Sequence, residues 1–197
     1  MTSPLSQMSE LACVTGRFQP VHRQHMELFE VALAEAEHLI VAVTNPDIQA
    51  RQAVATSLHR HSVAANPFTY FERVQLLKSA LDAAGHLSRT TIVPFDLTRP
   101  EVWADYVPRG TRQFVRAYSD WERQKAGWLR DAGYRVTLLE GDAQQRISST
   151  DIREFLTTHA SRGSTGPSEE WHELVPTSTI ALLERLWAAA DASEREL

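Results

Sequence analysis

Short, continuous apolar runs alternate along this chain with longer segments whose apolar residues recur every three or four positions. The first run, Leu11-Ala12-Cys13-Val14-Thr15, reads as a buried strand. Met26, Phe29, Leu33 and Ala36 follow at helical spacing, a helix to about Glu37. Leu39-Ile40-Val41-Ala42-Val43 is too short for a helix and apolar on both faces, as in a parallel sheet covered on two sides. The turn cluster Thr44-Asn45-Pro46-Asp47 ends it. Residues 48–66 are polar and long for a connection in a compact domain, hence mobile or functional. Thr69 with Glu72 predicts a capping box, Val74, Leu77 and Leu81 the apolar stripe of the helix it opens, and Gly85 its end. Residues 90–95, 114–118 and 134–139 read as three further strands. Between them lie a short helix over 99–106, with Pro100 at its first position, and a helix capped by Ser119 or Asp120 and stopped by Gly133. Ser149 or Thr150 opens another helix, 163–167 reads as a flexible linker, and 177–190 as a last helix with Ile180, Leu183 and Trp187 on one face.

This alternation predicts an α/β fold, a parallel sheet of about five strands with helices on both faces. In such sheets ligands bind beyond the carboxyl ends of the strands. Four polar stretches fall at such ends: the one after the first strand, Thr44-Asn45, Tyr118-Ser119, and 148–153. The first is Gly16-Arg17-Phe18-Gln19-Pro20-Val21-His22-Arg23-Gln24-His25. A glycine-started turn into a helix leaves backbone N–H groups and a positive helix end aimed at one spot, which suits phosphate. His22 and His25 can share one side of that helix, and Arg17 adds a planar cation able to grip phosphate oxygens.

Composition narrows the partners. At 197 residues one domain is the simplest count, and 43% apolar residues suffice for a core. A net charge of −5 argues against broad nucleic-acid binding. Cys13 is the only cysteine, so neither an internal disulfide nor a cysteine metal cluster is available, and it reads as a small core residue. No apolar run is long enough to span a bilayer, and residues 1–10 form a polar, disordered tail without a signal-peptide core, so a cytoplasmic protein is expected. Lys78 and Lys125 are the only lysines; the arginine excess suits phosphate recognition, but the alanine-rich composition favours plain codon bias.

The first motif resembles that of the nucleotidyltransferase superfamily with the His-x-Gly-His sequence, and is most similar to the archaeal-type nicotinamide mononucleotide (NMN) adenylyltransferases. Ile147-Ser148-Ser149-Thr150-Asp151-Ile152-Arg153 resembles the superfamily's second motif, Ile-Ser-x-Thr-x-Ile-Arg. Asn66-Pro67-Phe68-Thr69-x-x-Glu72-Arg73, Glu101-Val102-Trp103, and Trp171 with Leu174-Val175-Pro176 extend the likeness from Leu11 to about Trp187. The resemblance implies a Rossmann-like fold, with 11–197 as one nucleotidyltransferase domain carrying a C-terminal helical segment from about 168. It implies transfer of a nucleotidyl group: an acceptor's phosphate or phosphonate oxygen attacks the α-phosphorus of a nucleoside triphosphate and pyrophosphate leaves. The catalytic roles fall to His22, His25 and Arg153. Gly16, Arg17, Phe18, Gln24, Ser148, Ser149 and Thr150 would hold nucleotide and phosphates. Thr44, Asn45, Trp103, Tyr118 and Ser119 would form the acceptor or base pocket, Trp103 as a stacking platform or as core. Mg²⁺ would arrive on the triphosphate, not on protein side chains, and oligomerisation through the last helix follows by analogy.

Several positions depart from the NMN enzymes. Gln24 replaces the motif's glycine, where it would either tilt the nucleotide or add an amide contact, changing specificity more than activity. Thr44-Asn45-Pro46-Asp47 stands for Gly-Ser-Ala-Gln, and Tyr118-Ser119-Asp120-Trp121 for Ser-Gly-Asn-Pro. Ala65 replaces an arginine that binds the NMN phosphate, for which Arg51 or Arg60 are the candidate substitutes. The triphosphate machinery is kept while the base and acceptor pockets are rewritten. ATP with NMN therefore competes with CTP and a small phosphonate such as phosphonoformate, as in the related phosphonate cytidylyltransferases; a nucleotide sensor without turnover is a third reading. A dehydrogenase and a P-loop ATPase are excluded by the lack of Gly-x-Gly-x-x-Gly and of a Gly-rich Lys-Ser/Thr loop.

Overall fold

The computed structural model describes residues 9–51, 62, 64–162 and 169–194. Arg60, most of the polar connection and the 163–167 linker lie outside the described residues. In chain order the elements are β1 (Ser9–Gly16), α1 (Arg23–Ala34), β2 (Ala36–Thr44), α2 (Tyr70–Ala83), β3 (Thr90–Phe95), α3 (Trp103–Tyr106), β4 (Arg112–Ala117), α4 (Asp120–Asp131), β5 (Arg135–Glu140), α5 (Ser149–Arg162) and α6 (Ile180–Glu194). The strands form one sheet in the order β3-β2-β1-β4-β5, every pair parallel. This is the five-stranded parallel sheet the alternation predicts and the Rossmann-like fold the resemblance implies.

Each central strand feeds two cores because its side chains alternate. Ala12, Val14, Leu39, Val41, Val43 and Phe114 pack with residues of α1, α2, α5 and α6 on one face. Cys13, Ile40, Ala42 and Val115 pack with Trp103, Val107, Ala126 and Leu129 on the other, beneath α3 and α4. Continuous apolar runs are therefore required in β1 and β2, as the sequence shows.

Two boundaries differ from expectation. β1 starts at Ser9, taking Glu10 out of the expected tail. Ala36 belongs to β2, where it pairs with Ser9, and not to the helix stripe. The helix ends because Glu35 closes it with its N–H on Ala32 O at 3.2 Å; Ala36 is buried in either element, so spacing alone did not separate them. Elsewhere local chemistry acts as read. Thr69 and Glu72 form the capping box of α2, with Glu72 N–H donating to Thr69 Oγ1 at 3.2 Å and Thr69 N–H to Glu72 Oε2 at 2.7 Å. Gly133 ends α4 at φ +89, in the left-handed region that glycine tolerates.

Candidate active site

All carboxyl ends of the strands lie along one edge. β1 sits between β2 and β4, so the chain leaves β1 toward one side of the sheet and later returns to the other. The crevice between the ends of β1 and β4 is the topological switch point where such sheets bind ligands. A cavity of about 710 Å³ opens there.

Its floor is the loop between β1 and α1. Phe18, buried and at φ +52, folds its ring back over Gly16. A Cβ on Gly16 would stand 2.8 Å from that ring, so only glycine permits the fold. Gln19 fixes the loop to the start of α2: its Nε2 donates to Phe68 O at 2.8 Å, and Phe68 N–H donates to its Oε1 at 3.0 Å. Arg73, fully buried, holds three loop carbonyls at once. It donates to Arg17 O at 2.8 Å, Thr44 O at 2.7 Å and Asn45 O at 2.8 Å. Burial lowers its pKa to about 10, so the guanidinium stays charged.

The motif histidines come together as expected. His22 precedes the first turn of α1 and His25 lies in it, with rings stacked at 3.5 Å between centroids and 24° between planes. His22 N–H donates to His25 Nδ1 at 3.2 Å, the contact a glutamate makes in an ordinary capping box. Nδ1 of His25 is therefore an acceptor, and the ring's proton sits on Nε2. Phe18 supports His25 edge-on at 4.8 Å. Burial, then the charge of Arg146, lowers the His22 pKa to about 3. Burial, then His22, Lys125, Arg146 and Arg116, holds His25 well below the usual histidine value. Both rings are neutral near pH 7 and act as hydrogen-bond donors and acceptors, not as cations. His22 Nδ1 is buried without a hydrogen-bond partner among the described residues, so it is open to a water or a ligand.

The second motif closes on the same loop. Ser148 precedes α5 and accepts Thr150 N–H on its Oγ at 3.1 Å. Ser149 Oγ donates to Pro20 O at 3.1 Å. Arg153, one turn on, donates to Gln19 O at 2.6 Å and to Thr150 Oγ1 at 3.1 Å. Both motifs and Arg17 thus line one cavity, together with Gln24 and Tyr118. Thr44, Asn45 and Trp103 line a second cavity, of about 600 Å³, which shares Arg17 and Trp121 with the first. Trp103 is also core: it is buried, packs on Phe95 at 5.3 Å and donates from Nε1 to Asp96 O at 2.7 Å. Ser119 lines neither cavity; it caps α4 with Glu122, whose Oε2 accepts Ser119 N–H at 2.9 Å.

Other lining residues escaped the sequence reading. Lys125 is buried in the cavity wall and donates to Thr15 O at 2.9 Å. Its rarity as one of two lysines was the available signal. Arg116 and Arg146 add positive charge to the same wall, and Trp121 and Trp128, in T-shaped contact at 5.5 Å, build the second cavity. Gln19 and Arg73 stood inside the recognised motifs without an assigned task. Among the described residues no group of three or more histidine, cysteine, aspartate or glutamate side chains could hold a metal ion. No helix among the described residues is long and apolar enough to cross a membrane.

Known proteins are similar to this chain in sequence and in fold. The chain is 29% identical over 178 residues to the phosphonoformate cytidylyltransferase of Streptomyces viridochromogenes, covering 90% of this chain and 92% of that one. It is 31% identical over 180 residues to the nicotinamide-nucleotide adenylyltransferase of Pyrobaculum neutrophilum, covering 90% and 89%. In fold it resembles a bifunctional NMN adenylyltransferase/ADP ribose pyrophosphatase from Francisella tularensis, with TM-score 0.57 and 17% identity; the match takes in 96% of this chain and 54% of that one, about half its length. The cytidylyltransferase-like family model matches residues 13–155, which span both motifs and all five strands from Cys13 onward. The chain belongs to the cytidylyltransferase-like family and is a nucleotidyltransferase.

Proposed function

We propose that the cavity transfers a nucleoside monophosphate from a nucleoside triphosphate to the phosphate or phosphonate oxygen of a small acceptor. The carrying observation is the neutral, stacked His22–His25 pair at the mouth of α1, tied through Gln19 and Pro20 to Arg153 and Ser149. The acceptor oxygen is already ionised at neutral pH, so no general base is required. It forms a bond to the α-phosphorus while the bond to the bridging oxygen breaks, and that electron pair leaves on pyrophosphate. Catalysis is then alignment and charge stabilisation. His25 Nε2–H and His22 donate to the α-phosphate oxygens. Ser149, Thr150 and the N-terminus of α5 receive the β- and γ-phosphates, while Arg153 and Lys125 offset the charge that builds up on the leaving group.

Mg²⁺ would enter this cavity on the triphosphate, with phosphate oxygens as its ligands, because cationic walls repel a free divalent ion. When bound it neutralises charge on the phosphate oxygens. Residues 11–197 act as one nucleotidyltransferase domain in this reading.

ATP with NMN, or an acceptor like it, is supported by the second cavity. Its size and its walls of Trp103, Trp121 and Trp128 suit a flat ring, with Arg17 placed between the cavities for the acceptor's phosphate. CTP with a small phosphonate is supported by the cytidylyltransferase relative and by Ala65, where the NMN enzymes carry a phosphate-binding arginine. A pyrophosphate-release screen with Mg²⁺, crossing four triphosphates against NMN, nicotinate mononucleotide and phosphonoformate, tests both. Turnover only with ATP and NMN selects the first, and turnover only with CTP and phosphonoformate the second. Tight triphosphate binding without pyrophosphate from any pair would leave a sensor.

A further inference from the structure

The residue that departs from the first motif, Gln24, lines the cavity with most of its amide group engaged by the protein itself. Its Nε2 donates to Gln145 O at 2.7 Å. Its Oε1 accepts Ile147 N–H at 2.8 Å and the Tyr118 hydroxyl at 2.9 Å. A carboxamide offers two lone pairs and two N–H groups. Both lone pairs and one N–H are therefore engaged by protein, and at most one N–H is left for a ligand.

Gln145 and Ile147 belong to the loop between β5 and α5, the segment that delivers the second motif, and Tyr118 follows β4. The loop's other end is fixed independently: Gly141 N–H donates to Ala117 O at 2.9 Å, and a Cβ on Gly141 would meet the Tyr118 ring at 2.4 Å. Arg146, between the two Gln24 anchors, lies 5.3 Å from the Tyr118 ring centroid and reaches Glu122 Oε1 at 3.2 Å. Ile147 is followed directly by Ser148, Ser149 and Thr150. A displacement of Ile147 would pull Ser149 from Pro20 and Thr150 from Arg153.

We propose that Gln24 is a positioning residue: it brackets the loop 141–147 against the mouth of α1 and so sets the second phosphate motif in register with the first before nucleotide binds. The requirement is chemical as well as steric. One side chain must give an N–H to a carbonyl and, at the same time, accept from an N–H two residues further on. A carboxylate would set an oxygen against Gln145 O, and glycine or alanine would leave both main-chain groups to water. The proposal rests on nucleotide binding at this cavity.

Amide hydrogen exchange on the full-length protein, together with equilibrium titration of the four Mg²⁺-triphosphates in the absence of acceptor, tests it. In Gln24→Ala and Gln24→Glu, exchange over 141–150 should accelerate, and Kd should rise about tenfold for all four triphosphates alike, the size expected from losing one or two hydrogen bonds. The KM for acceptor, with whichever pair turns over, should move less than twofold. Tyr118→Phe removes one bond without changing shape and should give a smaller shift in the same direction. Should the Gln24 variants fail to fold, it carries the test alone, and unchanged exchange and affinity in it overturn the proposal. Faster exchange with unchanged Kd would reduce Gln24 to a structural tie and also overturn it. An altered order of preference among the triphosphates with unchanged exchange would make Gln24 a reader of the base instead. If the unaltered protein bound no triphosphate, nucleotidyl transfer itself would fall, while the exchange arm would still report on the bracket.

Discussion

The two cavities that meet at Arg17 and Trp121 are built on opposite principles. Around the first cavity three cations are held by main-chain carbonyls, while Arg116 and Arg146 in the same wall pair with Glu27 and Glu122. Arg153 donates to Gln19 O and Lys125 to Thr15 O, while Arg17 Nη1 donates to Ala65 O at 3.1 Å. Arg123 with Glu140 and Arg99 with Glu101, on the outer surface, are instead matched to carboxylates. A carbonyl orients a guanidinium without cancelling its charge, so the positive potential remains for a polyanion. The neighbouring cavity places its rings by packing, with Trp103 on Phe95 and Trp121 on Trp128. Polar scaffolding with fixed partners suits a reaction that is the same for every substrate. Apolar walls can be exchanged one ring at a time, which suits the choice of acceptor.

Arg73 is where the two regions are most exposed to failure, because its carbonyl partners lie on both sides. Arg17 borders the phosphate cavity, and Thr44 and Asn45 border the apolar one. Arg73→Met keeps the volume and leaves three buried or partly buried carbonyls short of a donor. A loss of about 4 kcal/mol in urea unfolding is expected. A loss below about 1 kcal/mol would mean that water replaces the guanidinium and that the regions are not joined through it.

His22→Ala should separate the regions. In the phosphate cavity kcat should fall by about 10²–10³, or about 3 kcal/mol, the typical cost of one transition-state donor. The KM for acceptor should stay within twofold, because the apolar cavity does not include His22. Near-normal turnover would leave the histidine as a helix cap only.

That contrast also explains what could be read in advance. Strand runs were legible because a sheet covered on both faces demands unbroken apolar sequence, and Thr69 with Glu72 was legible because a capping box lies within four residues. The lining of the first cavity was legible where its contacts are local, as in His22 with His25 and Ser148 with Thr150. Arg73 and Lys125 were not, since their partners lie tens of residues away at the ends of other elements. Gln24 was legible as an oddity and not as a bracket, because Gln145 and Ile147 reach it only through the fold. Ser119 was legible as the cap of the helix that follows, where its hydroxyl donates to Glu122.

Protonation gives a smaller effect confined to the polar region. His22 has a folded pKa of about 3 against an ordinary value of 6.5, so the unfolded chain binds the extra proton between those values. Stability then rises with pH across that window and falls as pH drops below 6.5. At about 1.4 kcal/mol per unit, acidification from pH 6.5 to pH 5 should cost about 2 kcal/mol through His22, with His25 acting in the same direction. Urea midpoints measured across this range for the unaltered protein and for His22→Gln check it. Equal slopes would show that His22 is protonated as easily in the folded protein as in the unfolded chain.

The smallest expected effect falls on the apolar side. Trp128 is half-buried, lines the second cavity, lies outside the first, and makes its ring contact with Trp121. Trp128→Ala removes one wall while leaving Trp103 in the core. If the acceptor carries a ring, its KM should rise about tenfold, about 1.4 kcal/mol, a size typical of one aromatic contact. The KM for triphosphate should not change, since no phosphate donor is touched. An acceptor as small as phosphonoformate has no ring to lose that contact, and its KM should stay flat. Steady-state kinetics of this one variant therefore reads both the independence of the two regions and the kind of acceptor. A parallel rise in both KM values would show that the cavities act as one pocket, with Trp121 transmitting the change across their shared wall.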